Sequence, residues 1–188
     1  MVITSTRRHR PISHKLIAVL FFMITPAIVM AHGPSRQKVT REIIVKAPAA
    51  MVWDQISDFC AIETWHPAVV SCEGSGDNTP GATRVLTIGD ADGPKIHEEL
   101  QKFEPDKMTY KYKITKTDNA VVPVTTYSAF LSVHDNGDGT SKVTWRGGFY
   151  RAFPNNGPPP ELNDEAAVTA VNNVYESGLE GIRQLLEK

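Results

Sequence analysis

The chain has 188 residues, with 20 Lys and Arg against 21 Asp and Glu, a formal net charge of −1, and 41% apolar side chains. That balance leaves no basic stripe to neutralise a phosphate backbone, which argues against a nucleic-acid partner. The length and apolar content suit one ordinary domain that closes its own core, with no need of a second.

In chain order, the first predicted element is a secretory signal over residues 1–31. Basic Arg7, Arg8, Arg10 and Lys15 precede an apolar run from Leu16 to Val29, and Val29 and Ala31 supply a small-x-small site. The predicted cut follows Ala31. An uncleaved anchor is the alternative, but the run falls short of the roughly 20 apolar residues that span a bilayer. Arg7-Arg8 is followed by His9 and Arg10 where twin-arginine export prefers an apolar residue, so the general secretory route fits better. The protein is therefore expected in the periplasm, without membrane attachment after cleavage. Residues 32–36 read as a mature tail and 37–188 as a single domain, left with 16 basic against 21 acidic side chains.

Alternation from Val39 to Val45 predicts an opening strand with Val39, Ile43 and Val45 on one face. Pro48 suits the first turn of a helix, in which Val52, Ile56 and Phe59 form one buried stripe. A second helical turn from Cys60 to Trp65 ends before Pro67. Strands then follow near Val69–Glu73, Thr83–Ile88, Lys95–Phe103, Met108–Thr115, Tyr127–Val133 and Ser141–Phe149. Short Gly, Asp, Asn and Pro turns separate most of them, so they read as an antiparallel meander. Pro154 to Pro160 is too rich in proline to be strand or helix interior. Asp164 and Glu165 open a long helix whose Val171, Val174, Tyr175, Ile182, Leu185 and Leu186 recur at helical spacing.

The order of strand, two short helices, six antiparallel strands and a long helix resembles the helix-grip fold of the START and Bet v 1-like (SRPBCC) superfamily, which includes polyketide cyclase-like members. The expected fold class is α+β: a curved seven-stranded antiparallel sheet wrapped on the C-terminal helix. More narrowly, Ala31 to Pro34, Trp65 to Val69, Tyr110 to Lys116 and above all Phe149 to Ala167 are similar to the MxaD-like periplasmic accessory proteins of bacterial methanol oxidation. That resemblance implies a non-catalytic role and two partners, methanol dehydrogenase and its cytochrome c electron acceptor. A carrier or sensor of a small apolar ligand is the second reading, and a cyclase- or dehydratase-like enzyme the third.

The candidate site residues follow from inward positions. Trp65, Tyr110, Tyr112, Tyr127, Trp145 and Tyr175 converge on one interior, as a ligand cavity or as plain core packing. Glu98 shares a strand face with Ile96 and Leu100, and a carboxylate there needs a cation, for which Arg84 on the neighbouring strand is placed. The two form either a polar anchor for a ligand or a buried structural pair. His66, at a helix-to-strand corner, is a general base, a pH-sensitive gate or the cap of a turn. Tyr150, Arg151, Phe153 and Leu162 surround the rigid prolines and offer a docking surface, the alternative being a linker that positions the last helix.

Cys60 and Cys72, the only cysteines, are a disulfide in an oxidising compartment or two buried thiols. Cleavage after Ala31 would expose His32 as an amine-plus-imidazole chelator, needing His66, His97 or His134 beside it. Nothing else calls for a metal or cofactor. His97 to Gln101 ends in glutamine where a zinc protease motif needs histidine, and the Asp135 to Gly139 turn has Arg146 where a calcium loop closes with glutamate. A nucleophile elbow, P-loop and dinucleotide fingerprint are all absent from the sequence.

Overall fold

Antiparallel pairing joins seven strands into one sheet of order β1-β7-β6-β5-β4-β3-β2 in the computed structural model, which describes residues 1–2, 33–75 and 77–188. The predicted signal segment, its cleavage point and His32 lie outside the described residues. The strands are β1 (Gln37–Val45), β2 (Val69–Gly74), β3 (Thr83–Ile88), β4 (Lys95–Glu104), β5 (Thr109–Lys116), β6 (Val124–Asp135) and β7 (Ser141–Arg151). Helices α1 (Ala49–Ile56) and α2 (Ile62–Trp65) follow β1, and α3 (Asp164–Leu186) closes the chain. Every fold element expected from the sequence is present, and the helix grip is the observed architecture.

The concave face of the sheet packs on α3. Val39 and Val45 of β1 and Val143, Trp145 and Phe149 of β7 share a buried core with Val171, Tyr175, Leu179 and Ile182 of the helix, while β6, with buried Leu131 and Val133, packs on α1. Asn163 caps α3: its side-chain oxygen accepts the Ala166 amide at 2.7 Å, and Asp164 and Glu165 stand in the first turn where the helix dipole favours them. Two glycines let α3 approach so closely. A Cβ on Gly181 would lie 1.9 Å from the Trp65 carbonyl oxygen, and one on Gly178 would lie 2.6 Å from His66 and 2.7 Å from Trp145.

Several boundaries shift, each for a local reason. β6 begins three residues early because Thr126, with φ of 52°, makes a bulge that puts Val124 and Tyr127 both inward, which breaks simple alternation. β7 runs two residues past Phe149 to Arg151 because the early start of β6 gives it partners there, Thr125 for Tyr150 and Val124 for Arg151. Met108 is not in β5; it is left-handed, with φ of 47°, at the end of a 3-10 turn. Phe59 is buried as expected but lies in the turn after α1 rather than on it, and α2 starts at Ile62, not Cys60.

Cys60 and Cys72 are joined by a disulfide. The bond ties the α1–α2 turn to β2, and closing so short a loop in the unfolded chain is worth on the order of 3 kcal/mol.

Candidate functional site

A chain of hydrogen bonds runs through the interior from sheet to helix. The Trp145 indole N–H donates to the Tyr112 hydroxyl at 3.0 Å, Tyr112 meets Tyr127 at 3.1 Å, and Tyr127 meets Tyr175 at 2.6 Å. Tyr175 also stacks on Trp145, with ring centroids 4.6 Å apart and planes inclined by 11°. Its hydroxyl ends over Gly147, where a Cβ would stand only 2.2 Å away. Burial raises the phenols of Tyr112, Tyr127 and Tyr175 well above their ordinary range and Tyr110 to about 12, so all four stay protonated, and the first three serve as hydrogen-bonding hydroxyls.

Arg84 and Glu98 face each other across β3 and β4 and are both buried. Nε and NH2 of Arg84 lie 2.6 Å from the same oxygen, Oε2 of Glu98. Nε is aligned to donate; NH2, equally near, is not. NH1 donates to the Phe59 carbonyl, and the Phe59 ring covers the guanidinium at 3.9 Å. Burial pushes the Glu98 carboxyl above its ordinary value, and the adjacent guanidinium offsets only part of that rise. Arg84 remains charged.

His66 pins the α2–β2 corner to α3. Its Nδ1 accepts the Ala68 amide at 3.2 Å, which leaves Nε2 to carry the proton and donate to the Val174 carbonyl at 3.1 Å. With both nitrogens engaged in the neutral form, it caps the turn. Burial holds its pKa below 6.5. The unfolded chain therefore binds a proton that the native state refuses. The stability contributed by neutral His66 is complete above the unfolded value and is lost as pH falls below it, at no more than about 1.4 kcal/mol per pH unit. Thermal unfolding followed from pH 7.5 to 5 should show a steeper acid loss in the wild type than in His66→Gln; equal slopes would clear His66 of the effect.

Between sheet and helix lies a cavity of about 60 Å³. Of the nine residues expected around it, His66, Glu98, Tyr112, Tyr127, Trp145 and Tyr175 do line it. Trp65, Arg84 and Tyr110 do not. Trp65 packs edge-on to Trp145 at 5.7 Å, Arg84 sits behind Glu98, and Tyr110 packs under Trp53 and Phe59. The aromatics thus fill much of the space they were expected to surround. Apolar side chains make up the rest of the wall, among them Ile62, Val121, Val122, Val171 and Val174. Helical spacing flags the last two; Val121 and Val122 come from the β5–β6 loop, which carries no period to read.

The proline-rich loop is largely exposed, with Pro154 to Gly157 open to solvent, but the arginine at its base is turned inward. Arg151 is 5% exposed, so it is no docking side chain as it stands: Nε donates to the Phe153 carbonyl at 3.0 Å, NH2 to the Asn155 carbonyl at 3.0 Å, and NH1 to Asp164 at 3.2 Å. Tyr150 and Phe153 are half-buried, and Leu162 lines an open groove between the β5–β6 loop and the start of α3. Among the described residues no group of three His, Cys, Asp or Glu side chains gathers to hold a metal, and no helix is long and apolar enough to cross a membrane.

Residues 36–187 match the model of the family described as polyketide cyclase / dehydrase and lipid transport. Among curated proteins, none matches the chain. Among solved structures, protein XoxI from Bacillus cereus is 26% identical with a TM-score of 0.67, over 80% of this chain and 96% of that one. A protein from Thermobifida fusca is 28% identical with a TM-score of 0.64, over 79% and 92%. The Zhui aromatase/cyclase from Streptomyces sp. R1128, at 16% identity, has a TM-score of 0.63 over 81% and 94%, a likeness of fold.

Proposed function

The chain belongs to the polyketide cyclase / dehydrase and lipid transport family, and from that premise we propose that it is a non-catalytic periplasmic accessory protein that holds a small apolar group in its interior. The observation that carries this is the cavity itself. Its walls are almost wholly aliphatic and aromatic, and its polar groups are already satisfied within the protein: both nitrogens of His66 and the hydroxyls of Tyr112, Tyr127 and Tyr175. Glu98 is the exception, with Oε2 on Arg84 and no hydrogen bond to Oε1 among the described residues. One directional acceptor in an apolar wall orients a ligand. A cyclase or dehydratase would also need a free acid or base beside it, and His66 has no free nitrogen to supply one. The volume has room on the order of four waters, which suits a compact apolar group.

The finer reading, assistance to methanol dehydrogenase and its cytochrome c, is supported by the resemblance of Phe149 to Ala167 to MxaD-like proteins. Native mass spectrometry of the protein taken gently from its host's periplasm tests both levels. We expect a small apolar molecule that is lost in Val171→Phe, which fills the cavity, and co-capture of the dehydrogenase or its cytochrome. An empty wild type, or a ligand retained by Val171→Phe, would remove the holding role. Capture of neither partner would remove the methanol-oxidation role while leaving the ligand result to stand.

A further inference from the structure

On the convex face of the sheet, remote from the interior cavity, charge is arranged in a way that the proposed function does not use. Arg146 of β7, Phe130 of β6 and Lys111 of β5 are neighbours in one cross-strand row, and Lys38 of β1 stands in the next row beside Gly148. Neighbouring cations on this face are neutralised: Lys113 by Glu99 at 2.8 Å, Lys102 by Glu104 at 2.7 Å and Lys142 by Glu42 at 3.6 Å. Arg36, Lys38, Lys111 and Arg146 have no carboxylate within ion-pair distance among the described residues, and residues 3–32 contain no Asp or Glu to supply one.

Three of the four are also held in place. Arg146 lies over the Phe130 ring at 4.3 Å, with Lys111 5.5 Å from the same ring. Arg36 lies flat on Gly148, its NH2 only 2.9 Å from where a Cβ would stand. Arg36, Lys38, Phe130, Arg146 and Gly148 border a depression of about 220 Å³. Stacking fixes cations that would otherwise lose rotamer freedom on binding, so the patch is preorganised for an anionic partner.

We infer that this face is a docking surface for an acidic segment of a partner protein. Strand spacing decides against one small anion. Arg146 and Lys111 are two strands apart, about 10 Å at the backbone, with Phe130 between them, and Arg36 and Lys38 extend the patch into the next row. A single phosphate cannot touch all four, whereas a polypeptide with several carboxylates can. In a chain of nearly balanced charge, net −1, such a local cationic surface also sets the orientation of encounter.

The test is binding of a fluorophore-labelled octaglutamate to the full domain at low ionic strength, read by anisotropy. Saturable binding that weakens as salt rises is expected, weaker by about tenfold or more in Arg146→Glu with Lys111→Glu. Gly148→Ala, which displaces only the flexible end of Arg36, should weaken binding with the fold intact. Lys95→Glu, off the patch, should leave it unchanged. No saturable binding, equal loss in Lys95→Glu, displacement by inorganic phosphate beyond that by chloride at the same ionic strength, or tighter binding to phosphatidylglycerol vesicles than to octaglutamate would each overturn the assignment.

Discussion

Replacing Arg84 by Met is expected to lower the stability of the domain by about 3–5 kcal/mol. Glu98 is buried, and Arg84 is the only cation bonded to it among the described residues. Without the guanidinium the carboxyl must either remain charged in an apolar wall or take up a proton, and both cost free energy. The pH dependence separates this from simple loss of packing. Already in the wild type, burial raises the Glu98 pKa above its unfolded value. Folding therefore favours its protonated form, whose contribution is present below the ordinary carboxylate range and is lost as pH rises through the native value. Removing Arg84 raises that native value further, so the deficit should be larger at pH 7.5 than at pH 5. The double variant Arg84→Met with Glu98→Leu should recover most of the loss, since two apolar side chains replace two desolvated charges. Urea unfolding at the two pH values decides the matter. A deficit below about 1 kcal/mol, or one that does not change with pH, would show that the pair contributes little beyond its volume.

The pairing of Arg84 with Glu98 was legible in the sequence because it follows from strand alternation and from the cost of a buried carboxylate. The inward positions of Tyr112, Tyr127, Trp145 and Tyr175 follow from the same two periods, 2 for strands and 3.6 for the helix. What they do once inside does not. Whether converging aromatics enclose a void or fill it depends on contacts a few tenths of an ångström wide, such as the Tyr175 hydroxyl seated over Gly147. The same holds for Arg151. A guanidinium among prolines reads as a docking group until the loop is folded, when three acceptors close on it. Glycines carried the missing signal: Gly147, Gly178 and Gly181 interrupt a strand and a helix at cost, and each marks a close approach of another group.

Trp145→Ala is expected to cost about 3–5 kcal/mol, enough to lower the melting temperature by roughly 10 °C in a domain of this size. The indole stacks on Tyr175, meets Trp65 and His66 edge-on, and starts the hydroxyl chain by its bond to Tyr112. It is also 2% exposed, so no solvent can move in without loss. The space it vacates joins the existing cavity, and the neighbours cannot collapse because β7 is paired on both sides, to β1 and to β6. A space of that shape, with the Tyr112 hydroxyl left to accept a donor, takes up a matching aromatic molecule that carries an N–H. Indole added to Trp145→Ala should therefore raise its melting temperature, by an amount set by its concentration relative to its Kd; at one hundred times Kd the gain is about 2.7 kcal/mol. Wild-type protein, with Trp145 already in place, should respond far less to the same addition. If indole stabilises both proteins equally, it binds elsewhere, and the Trp145 side chain does not define the boundary between packed core and ligand space. If it rescues only the variant, the interior is rigid enough to hold a ligand-shaped void.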